Sequence, residues 1–452
     1  MKLRVRRGRY DIDMLNGPVL PRLLSFALPL MLSSMLQLTF NAADVIVVGR
    51  FEGDAALAAV GSTGALINLL VNLFLGLSVG ANVVVAQCCG AGDYRQTGEA
   101  VHTSIALSLV GGLLVGVLGF FLSLMNTPAD VLPLATAYMR IYFLGMPANM
   151  LYNFGAAILR AIGDTRRPLT YLTLAGVVNV ALNLLFVIVF RMGVSGVALA
   201  TIISQIISAT LVMLCLIRTD GAIHLDVKKI RLHGDKVWRI AKVGLPAGFQ
   251  GMVFSLSNVL IQSTVNSFGK SVVAGNTTAS NLEGYIYVAM NSIHQGAITF
   301  TGQNVGARKY ERISKVARAS LLAVTGIGLA LGGFLMLARG WLYRIYTSDE
   351  AVIAAAGLRT DIIGPTYFLC GMMEVMVGLL RGMGSSVTPM VVSILGACVL
   401  RIVWILTVFP LDPTLTTLYL SYPVSWLVTF AAHTGCYLYI KKRKFGGLTN
   451  GE

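Results

Sequence analysis

Gln37, Asn41 and Asp44 recur at i, i+4 and i+7 inside the first long apolar run of the chain, which aligns all three on one face of a helix. A charge at bilayer depth costs about 2.5 to 3.5 kcal/mol on insertion scales, so Asp44 calls for a partner or a task. Asn179 and Asn183 form a second one-face pair at i, i+4, and Asn149 and Asn153 a third. One carboxylate surrounded by amides offers oxygens for a monovalent cation, or a site that takes up and releases a proton. Amides in spans also join helices by hydrogen bonds, a purely structural use.

Glu374 is a second acid within apolar sequence, and Arg401 is its nearest plausible counterion, so a structural ion pair competes with a functional role. Asp361, Arg359 and Arg140 fall closer to the ends of their spans, where snorkelling would suffice. His294 is of a type that titrates near neutrality, although a lone histidine also serves as a hydrogen-bonded packing residue. Gln37, Asn41, Asn149, Asn153, Glu374 and His294 are therefore candidates to line a substrate cavity. The six cysteines include no CxxC pair and no His/Cys metal spacing, and read as small buried hydrophobes. No HExxH, GxSxG or Walker loop occurs, so nothing favours an enzyme or a cofactor.

These residues are embedded in a chain with 56% hydrophobic and only 12% charged residues and a mean hydropathy of +0.74, the composition of an integral membrane protein. Twelve apolar stretches are long enough to cross as helices, at about 22–48, 56–86, 99–124, 131–159, 168–190, 193–217, 239–265, 277–302, 316–343, 350–380, 388–410 and 414–440. The alternating polar and apolar pattern of a β-barrel is missing, so the expected fold is all-α. The net charge of +15 does not point to nucleic acid. Lys and Arg gather on alternate connections (Lys2 to Arg9, Arg95, Arg160 to Arg167, Lys228 to Lys242, Arg308 to Arg318, Arg381, Lys441 to Lys444), which places both termini in the cytoplasm. No cleavable signal peptide is expected, because the first apolar run is long enough to span.

Several motifs occur twice. Gln87-Cys88-Cys89-Gly90-Ala91 returns as Gln303-Asn304-Val305-Gly306-Ala307, Leu28-Pro29 as Leu245-Pro246, and Leu159-Arg160-Ala161-Ile162-Gly163 with Pro168 as Leu380-Arg381-Gly382-Met383-Gly384 with Pro389. An even number of spans separates the copies, so two six-helix lobes related by a pseudo-twofold axis along the membrane normal are expected. The expected partition is an N-terminal lobe at 1–217, a cytoplasmic linker at 218–238, a C-terminal lobe at 239–440 and a basic cytoplasmic tail at 441–452. Repeated membrane halves suit a transporter whose site lies between two lobes.

In their order along the chain, Asp44-Val45-Ile46-Val47-Val48-Gly49-Arg50, Ala56-Leu57-Ala58-Ala59-Val60-Gly61, the two Gln-x-x-Gly-Ala cassettes, the two Leu-Arg-x-x-Gly turns and Gly196-Val197-Ala198-Leu199-Ala200-Thr201 resemble the multidrug and toxic compound extrusion (MATE) family over essentially the whole chain. The resemblance implies a monomeric secondary antiporter of the bacterial cytoplasmic membrane. It would export organic, cationic, amphipathic, drug-like compounds in exchange for H⁺ or Na⁺. One bacterial branch of that family couples through an aspartate of the first helix and an Asn-x-x-x-Asp pair on the fifth. Asp44 and Asn179 match that pattern, Asn183 replaces its second acid, and Thr201 matches as a neighbouring ligand, so the implied coupling set is Asp44, Asn179, Asn183 and Thr201. With one carboxylate the set has less charge to hold Na⁺, and protonation of Asp44 is the simpler reaction. A lipid-linked saccharide flippase, from a structurally related family, is the alternative; Arg140, Arg359 and Arg401 would serve its diphosphate head group.

Overall fold

The computed structural model describes residues 12–51, 53–122 and 132–445, so the basic start of the chain and the end of its basic tail lie outside the described residues, as do the side chains of Arg50 and of the Ala56 to Gly61 motif. Every regular element among the described residues is helical. Seven of the rods are unbroken: α1 (Val19–Phe51), α2 (Gly53–Ala91), α3 (Tyr94–Leu122), α7 (Gly193–Arg218), α8 (Gly234–Asn266), α9 (Lys270–Gly306) and α10 (Tyr310–Tyr346). An eighth, α15 (Leu415–Phe445), is the last of the described elements.

The other four rods are interrupted. Gly145 separates α4 (Leu132–Leu144) from α5 (Met146–Ala161), with Pro147 at the head of the latter. A π-helical turn, Leu185–Val189, ends the rod begun by α6 (Arg166–Leu184). Gly364 and Pro365 fall between α11 (Glu350–Ile363) and α12 (Tyr367–Gly382), and a second π-helical turn, Ile394–Val399, links α13 (Val387–Ser393) to α14 (Leu400–Thr407). The chain thus folds as the expected all-helical membrane protein. Among the described residues, nine stretches are apolar and long enough to cross a bilayer. The α4–α5 rod, α9 and α15 are not among them; α4–α5 is divided at Gly145, and α9 carries Asn276, Glu283 and His294.

The rods gather into two compact units, and neither is a single stretch of sequence. One comprises residues 1–13 and 32–252, the other 14–31 and 253–452. Helices α1 and α8 therefore each contribute their first part to one unit and their remainder to the other. The repeated Leu-Pro places Pro29 and Pro246 shortly before these two changes of unit, and each proline removes a backbone hydrogen bond from its helix.

In the first unit, α5 is central. Met146, Met150, Phe154 and Ile158 form a fully buried i, i+4, i+8, i+12 stripe against residues of α2, α3 and α7. The first part of α8 lies close against α2 through Gly244 and Gly248, which meet Gly76 and Gly80. A Cβ on Gly76 would stand 2.2 Å from the Gly248 nitrogen, and one on Gly80 2.3 Å from the Ile240 oxygen. Two Gly-x-x-x-Gly faces thus let the backbones touch, as membrane helices do in the absence of a strong hydrophobic drive. In the second unit, α9 and α12 approach in the same manner: a Cβ on Gly378 would be 2.9 Å from the His294 oxygen, and one on Gly382 2.7 Å from the Ile298 oxygen. The first part of α1 packs on α9, where Phe26 meets Phe300 edge to face at 5.9 Å.

The duplicated cassettes anchor the starts of these two shared helices. After the first cassette, Lys236 donates to Gln96 at 3.2 Å, and Arg239 donates to Gln87 at 3.2 Å. At the second, Asn304 donates to the Met14 oxygen at 3.1 Å, Lys309 to the Leu15 oxygen at 2.9 Å, and Arg312 to the Gly17 oxygen at 2.7 Å. The Leu-Arg-x-x-Gly motifs are helix ends as expected. Gly163 and Gly384 both adopt positive φ and donate back to the Arg160 and Arg381 oxygens at 2.9 and 2.8 Å.

Candidate functional site

Asp44 meets α6 because of what lies one turn before it. Phe40 packs on Gly176, where a Cβ would fall 1.9 Å from the ring, so any side chain would push α1 off α6. Asp44 shares the face of Phe40, and Asn179 and Asn183 share the face of Gly176, so the seam that starts with a ring on a glycine continues with a carboxylate on two amides. Asn183 donates its Nδ2 to Asp44 Oδ1 and also to Asn179 Oδ1, the latter at 3.3 Å. Asp44 is half-buried, Asn179 buried, and Asn183 only 1% exposed. The Oδ1 of Asn183 is buried with no hydrogen-bond partner, an unfilled acceptor beside the acid.

A cluster of Val47, Val187, Val194 and Val197, with Tyr138 against it, covers this trio on one side. Val47 follows Asp44 by one turn, and Val187 follows Asn183 by one turn on the π-helical segment. Thr201 follows Val197 by one turn on α7, which as the next span runs the opposite way, so its position is level with Asp44. Its hydroxyl donates to the Val197 oxygen of its own helix at 2.9 Å. Of the other residues singled out in this unit, Gln37 and Asn41 are exposed, while Asn153 donates to the side-chain oxygen of Asn149 at 2.9 Å. The structure brings Asp44, Asn179 and Asn183 together by hydrogen bonds, whereas the Thr201 hydroxyl bonds within its own helix.

The acids of the second unit have different surroundings. Glu374 lies beside His294, whose Nδ1 is 2.6 Å from the Glu374 backbone oxygen and 3.9 Å from its carboxylate. Arg401 is not its counterion, a correction to the sequence reading. The Arg401 guanidinium instead donates to Ser425 Oγ at 2.8 Å and stacks over Tyr422 at 4.3 Å. Nor does Arg359 snorkel. It is 6% exposed and grips Glu283 with two parallel bonds of 3.0 and 2.7 Å, while its remaining nitrogen donates to Asn276 at 2.8 Å. Glu283 was missed in the sequence because nothing near it in the chain is charged; its partner is contributed by another helix. Asp361 pairs with Arg339 toward the exposed end of its span, and Arg140 is exposed, in keeping with the sequence reading of both.

Among the described residues no group of three His, Cys, Asp or Glu is placed to hold a metal ion. The cysteines are free, with Cys88, Cys370 and Cys398 buried. What the first site can offer is one carboxylate and amide oxygens, a hard donor set suited to a proton or an alkali cation.

Comparisons with known proteins agree with this architecture. The family model MatE matches residues 29–185 and 246–407. The chain is 31% identical over 396 residues to the probable multidrug resistance protein YpnP of Bacillus subtilis, covering 86% of this chain and 88% of that one. It is 25% identical to the probable multidrug resistance protein YoeA of the same organism, covering 93% of each. Among solved structures, the outward-facing conformation of a multidrug resistance MATE family transporter of the MOP superfamily superposes with a TM-score of 0.90 at 20% identity, covering 97% of this chain and 99% of that one.

Proposed function

This chain belongs to the MATE family of membrane transporters, and on that premise we propose that it exports organic, cationic amphipathic compounds in exchange for H⁺ or Na⁺, with Asp44 as the coupling carboxylate. The observation that carries the reading is the company Asp44 keeps: it is bonded to an amide and, among the described residues, paired with no arginine or lysine. An acid held this way can change charge without abandoning a buried cation. The names of its Bacillus relatives, probable multidrug resistance proteins, support a role in efflux. In this reading the protein acts as a monomer with both termini in the cytoplasm.

Ionised Asp44 can only accept, so Asn183 presents its NH₂ group. Protonated Asp44 becomes a donor, and the unfilled Oδ1 of Asn183 is the acceptor its new O–H requires. Turning that amide also withdraws the Nδ2 bond from Asn179. Uptake of one proton therefore rearranges the α1–α6 seam. Na⁺ could be held by the same oxygens of Asp44, Asn179 and Asn183, but only once the Asn183 amide has turned, and with a single carboxylate to balance it. H⁺ is therefore the simpler coupling ion. Coupling requires that the ion and the exported compound favour different states of the transporter.

The test is transport of a fluorescent organic cation by the reconstituted protein, with a pH gradient and a sodium gradient imposed separately. Asp44→Asn is expected to lower gradient-driven transport at least tenfold at unchanged membrane abundance. Full gradient-driven transport by that variant would end the proposal.

A further inference from the structure

The second unit holds a buried cation that has no carboxylate partner among the described residues. Arg401 lies in the middle of the apolar span Val387–Leu411 and is 4% exposed. Its Nε donates to Ser425, and its guanidinium carbon stands 4.3 Å from the Tyr422 ring centroid and 5.6 Å from that of Trp426. Among the described residues no carboxylate lies within 4.0 Å of it, and its two terminal nitrogens donate to nothing. Arg359 stands 5.3 Å from the same Tyr422 ring, so the two guanidiniums cannot be farther apart than the sum of their distances to it. Glu283 is already gripped by Arg359, and the Glu374 carboxylate lies 3.9 Å from His294 and more than 4.0 Å from any Arg401 nitrogen.

A stacked guanidinium with a free pair of donors is the group that recognises planar or tetrahedral oxyanions two oxygens at a time. Leaving it unpaired in an apolar span is costly unless an anion arrives. The geometry points to Arg401, floored by Tyr422 and Trp426 and assisted by the field of Arg359, as a binding subsite for an anionic oxygen group, a carboxylate or a phosphate. Such a group could belong to a small organic anion or to a lipid head group. The site lies in the second unit and makes no use of Asp44, so it stands whether or not the coupling proposal does.

Trp426, part of the floor, supplies the readout. The full-length protein in nanodiscs of phosphatidylcholine is titrated with benzoate and with phenyl phosphate while tryptophan emission is followed; benzamide and benzylamine serve as the neutral and cationic counterparts. Saturable binding of the anions, at least tenfold tighter than that of benzamide, is expected. Arg401→Gln should weaken anion binding at least tenfold, and Arg401→Lys should retain part of it, because a lysine keeps the charge but not the fork. Repeating the titration in phosphatidylglycerol separates the sources. Unchanged benzoate affinity assigns the site to small anions, whereas competition by the anionic lipid, or a thermal stabilisation by it that Arg401→Gln lacks, assigns it to a lipid phosphate. Benzamide binding as tightly as benzoate, unimpaired benzoate binding by Arg401→Gln, or no response to either soluble anion or anionic lipid would each overturn the proposal. Should Arg401→Gln fail to accumulate, the ranking of the four ring compounds on the unaltered protein decides alone.

Discussion

Asp44 and Glu283 are both carboxylates on long helices of the protein, yet only one of them is locked. Glu283 accepts two bonds from Arg359, which is held in turn by Asn276 and stacked near Tyr419 and Tyr422. Asp44 accepts from Asn183 across a seam built of Phe40 on Gly176. A bidentate pair in a low-dielectric setting keeps both charges fixed, because removing either strands the other. A carboxylate facing an amide loses little on protonation, since the amide can present either its donor or its acceptor. The lesson is that the choice of partner, more than depth, separates an acid that fastens helices from one able to work as a switch.

The largest effect on stability should come from breaking the locked pair. Arg359→Met leaves Glu283 buried without its cation and is expected to cost about 3 to 5 kcal/mol. Adding Glu283→Gln should recover much of that loss, as measured by unfolding in mixed detergent; no recovery would mean that the pair is not the unit of stability. Next comes the seam that presents Asp44. Gly176→Leu must displace the Phe40 ring and should cost about 1 to 3 kcal/mol. It should also reduce transport at equal abundance, an outcome that Asp44→Asn and Gly176→Leu would share for different reasons.

An acid outside the spans should show the smallest effect. Asp93 caps α3 by accepting from the Gln96 backbone N–H at 2.9 Å, and that bond, ahead of the one from the Gln96 side chain, holds its carboxyl below the usual range. A depressed value means that the cap contributes above the unfolded carboxyl range and is lost as pH falls through the folded one. Asp93→Ala is expected to cost about 0.5 to 2 kcal/mol near neutral pH. The difference from the unaltered protein should vanish in acid; a difference that grew with acidity would contradict the capping role.

Much of this was legible in the residues. The i, i+4, i+7 stripe ending at Asp44 and the Asn179–Asn183 pair need only helical periodicity to be seen; of the stripe, Asp44 meets α6, whereas Gln37 and Asn41 are exposed. The repeated Leu-Pro and Leu-Arg-x-x-Gly marks located the prolines and helix ends because proline and a glycine at positive φ act on the local backbone. Arg359 and Arg401 were misjudged for the opposite reason. Whether an arginine snorkels, pairs or stacks depends on Glu283, Ser425 and Tyr422, which lie far away in the chain.

By itself the sequence determined that the chain is helical, that it spans a membrane, that it is duplicated and that one carboxylate is set among amides, since each follows from composition or from spacing along one helix. Only the tertiary structure decided which buried charges are neutralised, that α1 and α8 are each shared between two compact units, and that Arg401 has no acid beside it among the described residues. Charge pairing in a low-dielectric interior is set by distances of a few ångströms between separate helices, and no periodicity within one helix encodes them.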